Sequence, residues 1–160
     1  MKTKVLLHGG FTKKENESND SFFREFAKDI PNNGIVLIVL FAAREEITEE
    51  RFEEFCDKFR AQAPEKTLQF EIATKESLLE QLEKADAIYI QGGSTNKLLA
   101  TLREYDQDIL KSTLQGKTVA GSSAGAYAIA QAGASHDKPE VRDGLGILPV
   151  RVVCHYQSPE

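Results

Sequence analysis

The run GIVLIVLFAA (34–43) places apolar, largely β-branched residues at odd and even positions alike. A strand with one solvated face would alternate, so this one must be covered on both sides. Such a strand belongs in a parallel sheet packed between two layers of helix. KVLLHGG (4–10), TLQFEIA (67–73), AIYIQGG (87–93), KTVAGSS (117–123) and GILPVRVVCHY (146–156) read as further strands. Helix-like segments separate them, so the class is α/β with a mainly parallel sheet flanked by helices on both faces. Three of the strands end in glycine-rich loops, HGGF, QGGSTN and GSSAG. In open parallel sheets, sites form at the carboxyl ends of strands.

The helical segments show period 3.6. NDSFFREFAKDI (19–30) aligns Phe22, Phe23, Phe26 and Ile30, with Asn19 or Asp20 as its cap. ITEERFEEFCDKFRAQ (47–62) aligns Phe52, Phe55, Cys56 and Phe59 at i, i+3, i+4 and i+7, which places Cys56 in the core. KESLLEQLEKAD (75–86), STNKLLATLREY (94–105) and DQDILKSTLQG (106–116) read as helices, and AGAYAIAQAG (124–133) as a helix of small residues. With 160 residues, no repeat and no linker, the chain suits one domain over 1–160. Its 25 acidic and 20 basic residues give a net charge of −5, which disfavours nucleic-acid binding. No apolar run approaches the length of a membrane span. MKTKVLLHGGF reads as a first strand rather than a signal peptide, which predicts a cytoplasmic protein. Cys56 and Cys154 are too few for a disulfide framework.

Gly121-Ser122-Ser123-Ala124-Gly125 fits G-x-S-x-G between a strand and a helix, the pattern of a nucleophile elbow. The central serine is held at a sharp turn, and glycines two residues away on either side let the chain double back. A serine nucleophile needs a base. His8, His136 and His155 are the three histidines, and any of them could reach the elbow. QGGSTNKLL (91–99) exposes backbone amides at a strand end, which suits an oxyanion hole. The same stretch also reads as a tight turn with Ser94 or Thr95 capping the next helix. No His/Cys/Asp cluster has metal-ligand spacing, so no cofactor is expected.

Together AIYIQGGSTNKLL, VAGSSAGAYAIA and GLGILP…CHY resemble the peptidase E and cyanophycinase-like family, serine peptidases of the S51 type on a class I glutamine-amidotransferase-like, flavodoxin-like three-layer fold. The resemblance runs along essentially the whole chain. It implies a Ser–His hydrolase with Ser123 as nucleophile and His155 as base. It also implies an oxyanion hole from the amides of Gly93 and Ala124, with Gly92, Ser94 and Thr95 near the substrate. The implied substrates are small peptides, either dipeptides with N-terminal aspartate or related isopeptides. A homodimer is compatible with this reading. Relatives usually continue some tens of residues past the histidine, whereas this chain stops at Glu160, so a short member is expected. The triad acid would then come from SHDKPEVRDG (135–144), a polar loop, with Asp137 preferred over Glu140 and Asp143. The alternative is a member of this fold that binds without turnover. An amidotransferase-like site would need a cysteine at the elbow. Cys154 cannot readily substitute, because the adjacent strand residues Cys154 and His155 are expected to point to opposite faces.

Overall fold

The computed structural model describes residues 2–135 and 138–156. Five parallel strands form the central sheet: β1 (Lys4–His8), β2 (Ile35–Val39), β3 (Gln69–Ile72), β4 (Ala87–Ile90) and β5 (Thr118–Ser122), in the order β1-β5-β4-β2-β3. Helices α1 (Glu17–Ala27) and α2 (Glu49–Gln62) cover one face. Helices α3 (Leu78–Lys84), α4 (Thr95–Leu102), α5 (Gln107–Thr113) and α6 (Ala124–Ile129) cover the other.

The two faces follow from the apolar runs. In β2, Val36 and Ile38 pack with Phe23, Phe26 and Phe59, while Leu37 and Val39 pack with the α3–α6 layer. In β4, Tyr89 takes the first side and Ile88 and Ile90 the second. Tyr89 is fully buried, and its ring centroid lies within 5.2–6.3 Å of those of Phe22, Phe23, Phe26, Phe55 and Phe59. Such aromatic contacts stabilise beyond the area they remove from water.

A second, three-stranded sheet follows α6: β6 (Ala130–Ser135), β7 (Lys138–Asp143) and β8 (Leu148–Cys154), in the order β7-β6-β8. β6 runs antiparallel to β7 and parallel to β8. Two sequence expectations are corrected here. AGAYAIAQAG is helical only to Ile129, and AQAG begins β6. The reason lies downstream, where the amides of Leu145 and Gly146 take the carbonyls of Ala128 and Ala130. The polar segment at 138–143 is an edge strand rather than a loop. The cap of α1 is also corrected. It is Asn16, whose side chain accepts from the Asn19 amide, and Asn19 itself is buried in the first turn.

Gly121 and Gly125 are required by close approach. A Cβ on Gly121 would overlap the backbone at Gly125 and Ala126, and one on Gly125 would strike the Ile90 carbonyl. Gly125→Ala is expected to destabilise by about 1–3 kcal/mol in urea titration, since a packed backbone cannot yield cheaply. Gly9→Ala has open space around it and is expected to stay within about 0.5 kcal/mol of wild type.

Candidate active site

The site lies where β1, β2, β4 and β5 end, across the region where the strand order reverses. Ser123 follows β5 with φ 50° and ψ −110°, a conformation that costs a non-glycine residue about 1–3 kcal/mol. Its amide donates to the His8 carbonyl at 2.8 Å. Its carbonyl accepts from the Tyr127 amide at 2.9 Å and from the Cys154 thiol at 3.2 Å. Ser122 is turned inward, its hydroxyl accepting from Tyr89 at 2.9 Å in the aromatic core. Burial pushes the Tyr89 phenol up to about 12, which keeps it a protonated donor.

His155 follows β8 with φ 54°, and its amide donates to the Gly9 carbonyl at 2.8 Å. Its Nε2 stands 2.6 Å from Ser123 Oγ, within hydrogen-bond distance. The turn at His155 ends the strand alternation. Cys154 and His155 therefore both reach Ser123, one at its carbonyl and the other at its hydroxyl, contrary to the expectation that they point apart. Burial raises the Cys154 thiol pKa, so it stays protonated as a donor. Cys56 is fully buried, its thiol pushed up to about 12.

The imidazole of His155 lies against the loop after β1. A Cβ on Gly10 would overlap the ring, so a side chain there would displace it. Phe11 meets the same ring edge-on with centroids 4.8 Å apart. His8 holds this loop rather than facing Ser123. Its Nδ1 accepts from the Gly10 amide at 3.0 Å, which leaves Nε2 to donate to Asn19 Oδ1 at 2.7 Å. Asn19 Nδ2 in turn donates to the carbonyls of Phe11 and Lys14. Sequence reasoning read Asn19 as a candidate helix cap and missed this clamp, because a buried clamp residue carries no motif.

Gly92 and Gly93 follow β4, and Gly92 lies against Ser122 and Ser123. The amides of Gly93 and Ala124 have no backbone acceptor among the described residues. Ser94 is committed to its helix, where its side chain caps α4 through the Lys97 amide. Two cavities meet Ser123. The larger, about 670 Å³, also contains His155, Gly10 and Phe11. Lys13, Lys14, Arg44 and Arg51 line it against the single carboxylate of Glu45. The smaller, about 230 Å³, is lined by Ser94, Thr95, Asn96, Arg44, Glu140 and Arg142, and includes Cys154 but not His155.

Of the acid candidates, Asp137 lies outside the described residues, as does His136. Glu140 pairs with Arg142 at 3.0 Å across the smaller cavity. Asp143 offers its backbone carbonyl to Arg103. Neither Glu140 nor Asp143 reaches His155, and among the described residues no carboxylate is hydrogen-bonded to it. Arg44 and Arg142 were also missed by sequence reasoning. They come from distant segments that only the fold brings to one wall.

Comparison with known proteins bears on the fold and the family. A crystal structure of a peptidase from an acI-B1 Actinobacterium superposes with a TM-score of 0.65 at 26% identity, covering 97% of this chain and 69% of that one. A putative peptidase E protein from Listeria monocytogenes EGD-e shares the fold, with a TM-score of 0.62 at 21% identity, covering 82% of this chain and 64% of that one. No curated protein matches. Residues 5–160 match peptidase family S51. The chain belongs to that family and is by descent a serine-type peptidase.

Proposed function

We propose that residues 1–160 form one domain that hydrolyses small peptides with an N-terminal aspartate, or the related isopeptides, through Ser123 and His155. The observation that carries this reading is the 2.6 Å contact between Ser123 Oγ and His155 Nε2 at the junction of the two cavities. In this mechanism His155 takes the hydroxyl proton as Ser123 attacks the carbonyl carbon. The amides of Gly93 and Ala124 hold the oxyanion. His155 then gives the proton to the leaving amine, and water releases the acyl group. The leaving group therefore lies on the His155 side, in the larger cavity, and the acyl residue occupies the smaller one. An N-terminal aspartyl residue carries an ammonium and a carboxylate. Glu140 matches the first, and Arg44 and Arg142 match the second.

Cytoplasmic residence and independence from nucleic acid and membrane belong to the same reading. Among the described residues no helix is long and apolar enough to cross a membrane. The direct test is a dipeptide panel with wild type beside Ser123→Ala, together with labelling by a fluorophosphonate. Cleavage restricted to N-terminal aspartate and labelling at Ser123 are expected. An unlabelled Ser123 and no hydrolysis would favour a binding protein on this fold.

Ser123→Ala is expected to lower kcat by up to ~10⁶. Ser122→Ala is expected to keep activity per folded molecule while losing about 1–3 kcal/mol of stability, because the Tyr89 hydroxyl loses its buried acceptor. Asp137 is our proposed orienting acid. Asp137→Asn should then fall by up to ~10⁴ in kcat while Asp143→Asn stays near wild type, and equal small effects would mean a dyad. His8→Ala frees the Gly10 amide and loosens the loop against His155. Its kcat is expected to drop about 10–100-fold with KM little changed and the circular dichroism spectrum intact.

A further inference from the structure

Helix α2 carries more apolar surface than the core consumes. Within its stripe Cys56 and Phe59 are fully buried, whereas Phe52 and Phe55 are half-buried. Phe55 sets one side of its ring against Tyr89 and Phe59, at 5.2 and 5.4 Å between centroids. Phe52 and Phe55, with Leu40 and Ile47 from the segment after β2, line a chamber of about 280 Å³. Thr12, Lys13, Leu40, Ile47, Arg51 and Gln91 belong to both this chamber and the larger cavity that holds Ser123 and His155. The chamber is therefore a side pocket of the catalytic cleft. On the shared wall Gln91 Oε1 is buried without a hydrogen-bond partner among the described residues, an acceptor that a bound ligand can satisfy.

We propose that this chamber is the subsite for the residue released after the scissile bond, and that it takes a large apolar side chain. The proposal rests on the Ser–His reading. His155 must protonate the leaving amine, and the cavity it lines is the one that opens into the chamber. The smaller cavity, on the acyl side, is polar by contrast. Lys13 and Arg51 stand where chamber and cleft meet, so a leaving residue with a free α-carboxylate faces positive charge. The Lys58 ammonium is already held by the carbonyls of Thr12 and Lys13. Glu54 is the chamber's one carboxylate, and Glu45 faces Arg51 at 3.4 Å. Three cations against one carboxylate disfavour a basic leaving residue. Leucine, methionine or phenylalanine leaves as the free amino acid, its nitrogen protonated by His155.

The test is a matrix of dipeptides with Asp, Asn, Glu or Ala first and Gly, Ala, Leu, Phe or Lys second. In every row that is cleaved, kcat/KM for Leu and Phe is expected to exceed that for Gly and for Lys by about tenfold or more. Ile47→Trp, which fills the chamber from its partly exposed edge, should reduce the Leu-to-Gly ratio to about twofold or less. If that variant does not fold, Phe52→Ala opens the opposite wall and should raise Phe relative to Leu. A flat series in wild type, or ratios that neither variant moves, would overturn the subsite. A steep second-position series in a row other than Asp would overturn the aspartyl reading and support the chamber. No cleavage in any row would overturn both.

Discussion

The strained backbone at Ser123 is held by contacts from three separate elements. The end of β1 takes its amide, the first turn of α6 donates to its carbonyl, and Cys154 at the end of β8 donates to the same carbonyl. Strain of about 1–3 kcal/mol persists only where the surroundings over-determine it. Here they do, because Gly121 and Gly125 let α6 fold back onto the end of β4 without a side chain between. The same contacts bring the loop after β1, the loop after β4 and the residue after β8 to one point. The geometry around Ser123 and the packing of the sheet are therefore one structure.

His155 is placed from two directions. β8 reaches the site through its parallel pairing with β6 in the second sheet. The loop after β1 then fixes the imidazole through Gly10, Phe11 and the Gly9 carbonyl, and that loop depends on the His8–Asn19 clamp. A small second sheet thus acts as the arm that carries His155 back over the large one. Charge is distributed to match. The chain as a whole is acidic, yet Lys13, Lys14, Arg44 and Arg51 gather in the cleft. A local cationic cleft raises the concentration of acidic ligands near it.

Much of the central fold was legible in the sequence. GIVLIVLFAA could only be an inner strand, and the phenylalanine spacing in α1 and α2 identified the faces that now surround Tyr89. The elbow was legible for a related reason. The turn needs small residues at set spacings: Gly121 answers to the nearby backbone of Gly125 and Ala126, while Gly125 answers to the Ile90 carbonyl at the end of β4. The second sheet was not legible. Alanine in AQAG favours helix and glycine favours neither helix nor strand, and only pairing on both sides with β7 and β8 makes that segment a strand. The polar stretch at 138–143 looked like a solvated loop because an edge strand exposes polar residues in the same way.

What the sequence determined alone is the set of local, steric and periodic features: a doubly covered parallel sheet, a serine elbow at the end of β5, a buried Cys56, and glycine-rich strand ends. Each depends on the identity of a few neighbouring residues. Tertiary structure decided which groups share a wall. It turned His8 to a loop and set His155 against the serine. It aimed Cys154 at a carbonyl, gathered Arg44 and Arg142 beside Glu140, and left Phe52 and Phe55 facing a chamber. These pairings join residues up to about a hundred positions apart along the chain. No local pattern encodes them, because they follow from strand order and from how far each helix extends before another segment claims its last carbonyls.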